Sequence, residues 1–170
     1  MSRIIFITGG ARSGKSSHAL ALASAAKGEK VFIATAQALD EEMAERIRKH
    51  QAERGPEWRV VDSPIDLASA LHETRQTSGA VLVDCLTLWV SNLLCAEKDT
   101  THAFTNFLNE IESPRQGDLL LVTNEVGLGI VPENELARKF RDLAGRLNQD
   151  VAARAHEAWM VVSGIPVRLK

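Results

Sequence analysis

The sequence near the start of the chain reads Gly9-Gly10-Ala11-Arg12-Ser13-Gly14-Lys15-Ser16, which matches the phosphate-binding loop pattern G-x-x-x-x-G-K-[ST] at every fixed position. A short β-branched and aromatic run at residues 4–7 precedes it, and alanines and leucines at helical spacing follow it. Strand, glycine-containing loop and helix is the order that this motif requires. The stretch therefore predicts an α/β fold that binds a nucleoside triphosphate.

Each residue type in this loop has a physical reason. Glycines at positions 9, 10 and 14 allow backbone conformations that a Cβ would forbid, so that successive N–H groups can face phosphate oxygens. The N-terminus of the following helix favours anions because of its unpaired amides and its dipole. Lys15 can reach the outer phosphates as a catalytic residue, and the Ser16 hydroxyl is placed to ligate Mg²⁺.

Composition limits the classes of partner. The 170 residues include 20 lysines and arginines against 22 aspartates and glutamates, which gives a formal charge of −2 and argues against nucleic acid as a partner. Cys85 and Cys95 are too few for a disulfide framework and form no C-x-x-C pair, so both are predicted to be reduced and buried. With neither a signal-peptide pattern nor a long apolar run, we expect one cytoplasmic domain over residues 1–170 and no membrane span.

Strand-like and helix-like segments alternate along the chain. The predicted strands after the first are at residues 30–34, 58–61, 80–84, 119–123 and 158–162, with a short edge strand after Pro166. The predicted helices after the first are at residues 40–54, 66–77, 87–95, 101–112 and 134–156. Apolar strands that alternate with helices indicate a mostly parallel sheet with helices on both faces, as in P-loop NTPases.

Ligands of such sheets bind beyond the carboxyl ends of the strands, so the residues just past each strand are candidates. Asp84 ends the most apolar strand, and we expect it to hold Mg²⁺ directly or through water. A helix N-cap is the structural alternative for Asp84, and Glu125, after the next strand, is the rival carboxylate. The other candidates are Ala34, Thr35, Ala36, Asp62 and Asn124.

His50 lies in the predicted helix at residues 40–54, where Arg46, His50 and Arg54 fall on one face at a spacing of four. A histidine can attack phosphorus to form a phosphoramidate, and flanking arginines would stabilise the charge. A solvated surface histidine is the alternative. If the helix packed back along the sheet, His50 would lie ~15 Å down its axis. We therefore predict that this helix projects over the nucleotide or moves to it when the nucleotide binds.

The motifs at residues 9–16, 33–36, 84–87, 122–127 and 140–149 form a distinctive combination. Together they resemble one family, the bifunctional adenosylcobinamide kinases and adenosylcobinamide-phosphate guanylyltransferases. The similarity runs nearly the whole length of the chain and is most distinctive at residues 122–127 (Val-Thr-Asn-Glu-Val-Gly) and in the segment 140–149. The other matching segments are residues 9–16, 33–36, 40–47 with His50, Arg54 and Trp58, 84–87, 92–94 and 131–133.

This resemblance implies two reactions of cobalamin assembly: ATP or GTP phosphorylates adenosylcobinamide, and GTP then donates GMP to that phosphate through a guanylylated histidine, which matches His50. It also implies a homotrimer and nucleotide contacts at residues 9–16, Ala34, Thr35, Ala36, Gln51, Ala52, Glu53, Arg54, Asp62 and Asp84. The chain departs from the family at Gly55-Pro56 and at Asp62, where glutamate is common. A simple P-loop kinase and a nucleotide-dependent switch are the alternatives.

Overall fold

The computed structural model of the chain describes residues 2–38, 41, 45, 48 and 55–170. In this part of the chain, seven strands form one sheet and five helices pack against it. The strands are β1 Ile4–Gly9, β2 Lys30–Ala34, β3 Trp58–Asp62, β4 Ala80–Asp84, β5 Asp118–Val122, β6 Glu157–Val162 and β7 Ile165–Arg168. The helices are α1 Lys15–Ser24, α2 Leu67–Glu73, α3 Leu86–Cys95, α4 Thr100–Ile111 and α5 Glu135–Arg154.

The predicted elements are confirmed in type, except that most of the helix predicted at residues 40–54 lies outside the described residues. Several elements differ from their predicted bounds, and two of these differences have a clear physical reason. The helix predicted at residues 66–77 ends at Glu73, because the Thr74 hydroxyl bonds to the carbonyls of Ala70 and Leu71 at 3.1 and 3.0 Å. A hydroxyl that competes for backbone carbonyls in this way favours the end of a helix over its interior. The last helix begins at Glu135 rather than at Asn134, which caps it by accepting from the Ala137 N–H at 2.9 Å.

The strand order is β3-β2-β4-β5-β1-β6-β7, and every neighbouring pair is parallel except β6 and β7. The register aligns Asp62, Ala34 and Asp84 in one row across β3, β2 and β4. The same row continues through Val122 of β5 to Ile7 of β1, two residues before the phosphate-binding loop begins. The strand order therefore brings the predicted site residues to one edge of the sheet.

Alternate residues of each strand face opposite sides of the sheet. On one side, Ile4 and Phe6 of β1 belong to a core with residues of α2–α5, among them Trp89 and Phe107. On the other side, Ile5 of β1 and its same-face neighbours pack with α1. This arrangement confirms the expected parallel sheet with helices on both faces.

The structure also bears on the predicted burial of the two cysteines and on the prediction of no membrane span. Cys85 is buried as expected, but Cys95 at the C-terminal end of α3 is exposed, so the prediction that both thiols are buried is wrong for Cys95. Cys95 faces solvent because the buried side of α3 is formed by residues such as Trp89, Val90 and Leu93. Within the described ranges, no helix is both long and apolar enough to cross a membrane.

Candidate nucleotide-binding site

The phosphate-binding loop joins β1 to α1 at the carboxyl edge of the sheet. Gly14 precedes the first residue of α1 with φ 92°, a left-handed conformation that glycine adopts without a steric penalty. Ser13 and Lys15 are buried, whereas Gly10 and Arg12 are exposed. The Lys15 ammonium donates to the Gly10 carbonyl at 3.1 Å, so the side chain folds back along its own loop. The predicted loop therefore has the strand, turn and helix that an anion site needs.

Two opposite charges meet at this edge. Burial lowers the pKa of Lys15, and the Asp84 carboxylate opposes that effect by raising it. Asp84 ends β4, which is separated from β1 by β5, so the two strand ends stand about 10 Å apart. The Lys15 ammonium nevertheless lies near enough to Asp84 for the carboxylate to act on its pKa. The structure thus brings together Lys15 and Asp84, which the sequence predicted as phosphate and magnesium ligands.

Thr35 has a structural role that its sequence position did not reveal. Its hydroxyl donates to the Cys85 carbonyl and accepts from the Cys85 N–H, both at 2.8 Å, and the residue is fully buried. The Thr35 carbonyl accepts from the Asn92 side chain at 2.7 Å. These bonds engage the polar groups that Thr35 would offer a nucleotide, and they hold the backbone that follows Asp84. Its neighbours Ala34 and Ala36 are half-buried at the same edge.

Asp62 ends the outermost strand and is exposed. Four strand spacings separate β3 from β1, which places this carboxylate about 19 Å from the strand that leads into the loop. Any contact between Asp62 and a nucleotide must therefore involve the nucleoside end of a ligand whose phosphates occupy residues 9–16.

Glu125 lies beside the loop, since β5 pairs directly with β1. Its backbone N–H donates to the Gly9 carbonyl at 3.0 Å, and its Oε1 atom accepts from the Gly127 N–H at 2.8 Å. The side chain is half-buried. Asp84 and Glu125 therefore follow neighbouring strands at one edge, but Asp84 is the carboxylate that influences Lys15.

A buried polar network behind β5 was not recognised as functional from the sequence. The Thr123 hydroxyl donates to the Asn148 carbonyl oxygen at 2.9 Å and lies 3.1 Å from the Thr87 hydroxyl. The Thr87 hydroxyl accepts from the Asn124 N–H at 2.6 Å. The network ties α3 and α5 to the loop that contains Glu125. The signal available in the sequence was Asn148, a polar residue one turn after the buried Ala144 in an apolar helix face.

Some predicted residues lie outside the part of the chain that the structure describes. These are His50, Gln51, Ala52, Glu53 and Arg54, together with most of the helix predicted at residues 40–54. Three positions of that segment, Glu41, Glu45 and Arg48, are described; they are helical and exposed, and Arg48 donates to Glu45 at 2.6 Å. The location of His50 relative to the loop stays a prediction.

The donors at this edge fit magnesium that arrives with a nucleotide. Across the described ranges, no group of three or more histidine, cysteine, aspartate or glutamate side chains forms a metal cage. Mg²⁺ rarely uses such cages; it keeps several waters and binds one or two protein oxygens together with substrate phosphates. Ser16 and Asp84 supply one hydroxyl and one carboxylate of this kind. The buried oxygens Thr8 Oγ1 and Asn124 Oδ1, near the same edge, have no partner within the described residues.

Comparison with solved structures concerns the fold. A prototypical ATPase from the type III secretion system of pathogenic bacteria aligns with a TM-score of 0.57 at 11% identity, covering 93% of this chain and 50% of that one. The assembled ATPase EscN from the enteropathogenic Escherichia coli type III secretion system aligns with a TM-score of 0.61 at 11% identity, covering 95% and 43%. The chain spans half or less of the length of these ATPases, and the likeness establishes a P-loop NTPase-like fold.

Proteins found by sequence comparison are much more similar to this chain than the two ATPases are. The bifunctional adenosylcobalamin biosynthesis protein CobU of Escherichia coli (strain K12) is 45% identical over 181 residues, covering 98% of this chain and 99% of the relative. The corresponding CobP protein of Pseudomonas aeruginosa is 43% identical over 165 residues, covering 96% and 95%. The family model for cobinamide kinase / cobinamide phosphate guanyltransferase matches residues 5–169. The chain therefore belongs to the cobinamide kinase / cobinamide phosphate guanyltransferase family.

Proposed function

We propose that this chain carries out both reactions of its family at the carboxyl edge of the sheet. The first is phosphorylation of adenosylcobinamide by ATP or GTP, and the second is transfer of GMP from GTP to the resulting phosphate. The observation that carries the proposal is the arrangement of Lys15, buried at the N-terminus of α1, with Asp84 close enough to raise its pKa. This arrangement suits a triphosphate and its divalent cation.

In the kinase step, the backbone amides of residues 9–16 and the Lys15 ammonium hold the outer phosphates of the nucleotide. The aminopropanol hydroxyl of adenosylcobinamide attacks the γ-phosphorus, forms the new O–P bond and releases its proton to solvent. The bond between the γ-phosphorus and the nucleoside diphosphate breaks, and the diphosphate leaves with the bonding electrons. Bound at Ser16 and Asp84, Mg²⁺ would neutralise charge on the phosphates. Lys15 stabilises charge that develops on the leaving diphosphate.

In the guanylyl step, the neutral His50 imidazole attacks the α-phosphorus of GTP. An N–P bond forms and the bond to pyrophosphate breaks, so pyrophosphate leaves with the bonding electrons. An oxygen of adenosylcobinamide phosphate then attacks the same phosphorus, and the N–P bond breaks to release adenosylcobinamide-GDP. In the helix that the sequence predicts at residues 40–54, Arg46 and Arg54 would flank His50 at a spacing of four and would stabilise the reacting phosphate.

We propose that the nucleoside end of GTP contacts Ala34, Ala36, Asp62 and residues 51–54. The expected contact at Thr35 is not proposed, because this residue is fully buried and its hydroxyl is bonded to Cys85. The whole chain, residues 1–170, would act as one catalytic domain, cytoplasmic and assembled as a homotrimer. The exposed apolar side chains of Leu128, Ile130 and Val131, which are 80%, 96% and 60% exposed, support a protein–protein contact.

The guanylylated histidine can be tested by incubating the protein with Mg²⁺ and GTP labelled at the α-phosphate. We expect protein-bound label that is stable in alkali and lost in acid, as for a phosphoramidate. His50→Ala should abolish this label while phosphorylation of adenosylcobinamide continues. His102→Ala is the matched control, because His102 is exposed on α4 and belongs to no part of the proposed site.

The outcomes separate the alternatives. Label that survives in His50→Ala would overturn the role of His50. Phosphorylation without any protein-bound label in the wild type would identify a simple kinase. Nucleotide binding without either transfer would identify a nucleotide-dependent switch.

A further inference from the structure

The turn between β6 and β7 lies against the phosphate-binding loop. Its two central residues, Ser163 and Gly164, have φ values of 51° and 81°. Positive φ at both positions is typical of the two-residue turns whose twist matches a β-hairpin. Glycine at the second position adopts this conformation without a steric penalty. The hairpin tip is therefore a well-defined piece of backbone that can position whatever it contacts.

Three contacts join this hairpin to the loop and to α1. The Gly164 N–H donates to the Ser13 carbonyl at 2.8 Å. A Cβ added to Gly14 would meet the Gly164 Cα at 3.2 Å, so the two backbones approach closely. The Trp159 ring of β6 packs edge-on against His18 of α1 with their centroids 5.3 Å apart. The C-terminal hairpin thus contacts the loop through its backbone and the following helix through a side chain.

The hydrogen bond from Gly164 to the Ser13 carbonyl also fixes the direction of the Gly14 N–H. In a trans peptide the C=O of one residue and the N–H of the next point in opposite directions within one plane. When the Ser13 carbonyl points towards Gly164, the Gly14 N–H must point away from the hairpin. Gly14 is the N-cap residue of α1, and the unpaired amides at a helix N-terminus are the donors that bind anions.

We propose that Gly164 is a positioning residue for the nucleotide: its N–H holds the Ser13–Gly14 peptide in the orientation that presents the Gly14 N–H to a phosphate oxygen. Without this bond, the Ser13 carbonyl is free to rotate towards the phosphate, where its partial negative charge would repel the anion. The inference rests on the proposed nucleotide binding by residues 9–16. It assigns the C-terminal hairpin, far from the motif in sequence, a role in phosphate affinity.

The sharpest test replaces one amide N–H by an ester oxygen. Ligation of a synthetic C-terminal segment allows glycolic acid at position 164, which removes the donor to Ser13 and leaves the side chain unchanged. The matched control is an ester at Leu169, whose N–H donates to the Ala158 carbonyl at 2.8 Å in the same hairpin and away from the loop. Affinity is measured for GTP and for inorganic tripolyphosphate, and unfolding by urea is followed for both proteins.

We expect the ester at position 164 to lower the affinities for GTP and tripolyphosphate by about tenfold or more. This is the effect of losing one hydrogen bond to a charged group, here the bond from the Gly14 N–H to a phosphate oxygen. Each ester removes one backbone hydrogen bond, so the two esters should lower the free energy of unfolding by similar amounts. The ester at position 169 should change the affinities for GTP and tripolyphosphate by less than about twofold. Equal effects of the two esters on affinity, or no effect of either, would overturn the role of Gly164. A wild-type protein that binds neither ligand would overturn the proposed nucleotide site as well.

Two substitutions provide a simpler comparison. Gly164→Asn keeps the N–H, and asparagine tolerates positive φ, so nucleotide affinity should stay close to the wild-type value. Gly164→Val forces a β-branched residue into a left-handed conformation and should displace the turn. The inference predicts weaker GTP binding only for the valine variant, together with a raised KM for nucleotide and little change in kcat at saturation. Equal KM values in the two variants would contradict it.

Discussion

The Thr35 hydroxyl is bonded twice to Cys85, since it accepts from the Cys85 N–H and donates to the Cys85 carbonyl, each at 2.8 Å. Thr35 follows β2 and Cys85 follows β4, so one side chain ties together the ends of two paired strands. Asn92 adds a third connection, because its side-chain amide donates to the carbonyls of Thr35 and Pro64 at 2.7 and 3.0 Å. The backbone that carries Asp84 is therefore held from several sides.

Thr35→Val should destabilise the protein by about 2–4 kcal/mol, because it leaves a buried N–H and a buried carbonyl of Cys85 without their partner. Thr35→Ser keeps the hydroxyl and should cost less than about 1.5 kcal/mol. Urea unfolding of the two variants measures the difference. If Thr35→Val instead lost GTP affinity at unchanged stability, the hydroxyl would be a nucleotide ligand and the structural role would be wrong.

Asp84→Asn should lower the pKa of Lys15 further, since burial already lowers it and the Asp84 carboxylate is the group that opposes this effect. The lysine then loses its proton at a lower pH, so GTP affinity should begin to fall at a lower pH than in the wild type. We also expect kinase turnover to fall about 10–100-fold, which is the usual effect of replacing a residue that helps to hold a catalytic metal, here Mg²⁺. The measurement is the pH dependence of GTP affinity, together with the titration of labelled lysine by NMR.

Asp142→Asn is the control for this experiment, because Asp142 is an exposed carboxylate on α5 that pairs with its neighbour Arg141. It should leave both the pH dependence and the turnover unchanged. An identical pH dependence in Asp84→Asn and the wild type would show that Asp84 does not act on Lys15.

Glu110→Gln should destabilise the protein by about 3–5 kcal/mol, because it removes the partner of a buried cation. Glu110 of α4 accepts from Arg75, and Arg115, whose side chain is only 3% exposed, lies 4.0 Å from it. Burial lowers the pKa of Arg115, and Glu110 is the charge that opposes this effect. The measurement is the free energy of unfolding in urea.

The matched control is Glu112→Gln, two residues further along the chain. Glu112 pairs with Arg154 at 3.3 Å, but its side chain is 55% exposed. Exposed pairs contribute about 0–1 kcal/mol, so this variant should be close to the wild type. Similar losses in the two variants would contradict a special contribution from the buried cluster.

The two thiols should differ in reactivity towards an aromatic disulfide reagent. Burial, followed by the charge of Asp84, raises the pKa of Cys85 to about 12, so this thiol stays protonated at neutral pH. Cys95 is exposed and should react within the normal time for a free cysteine. We expect one fast thiol in the folded wild type and none in Cys95→Ser. A fast thiol that persists in Cys95→Ser would show that Cys85 is accessible.

The sequence alone determined the type and order of nearly all described elements, because each depends on a local pattern of side chains. The phosphate-binding loop is the clearest case, since residues 9–16 contain every fixed residue between a strand and a helix. The prediction that Asp84 lies at the site also follows locally, from a carboxylate at the end of a buried strand. The end of α2 was less predictable, because Thr74 closes the helix through its own hydroxyl.

Only the tertiary structure decided which of these residues meet. The strand order places β5 between β1 and β4 and puts Asp62 on the outermost parallel strand, and no local pattern encodes that order. Thr35 and Gly164 obtain their roles from partners in remote parts of the chain, Cys85 and Ser13. A periodic pattern shows which face of a strand is buried, but packing of the whole sheet selects the neighbour that a buried hydroxyl or a backbone N–H finally contacts.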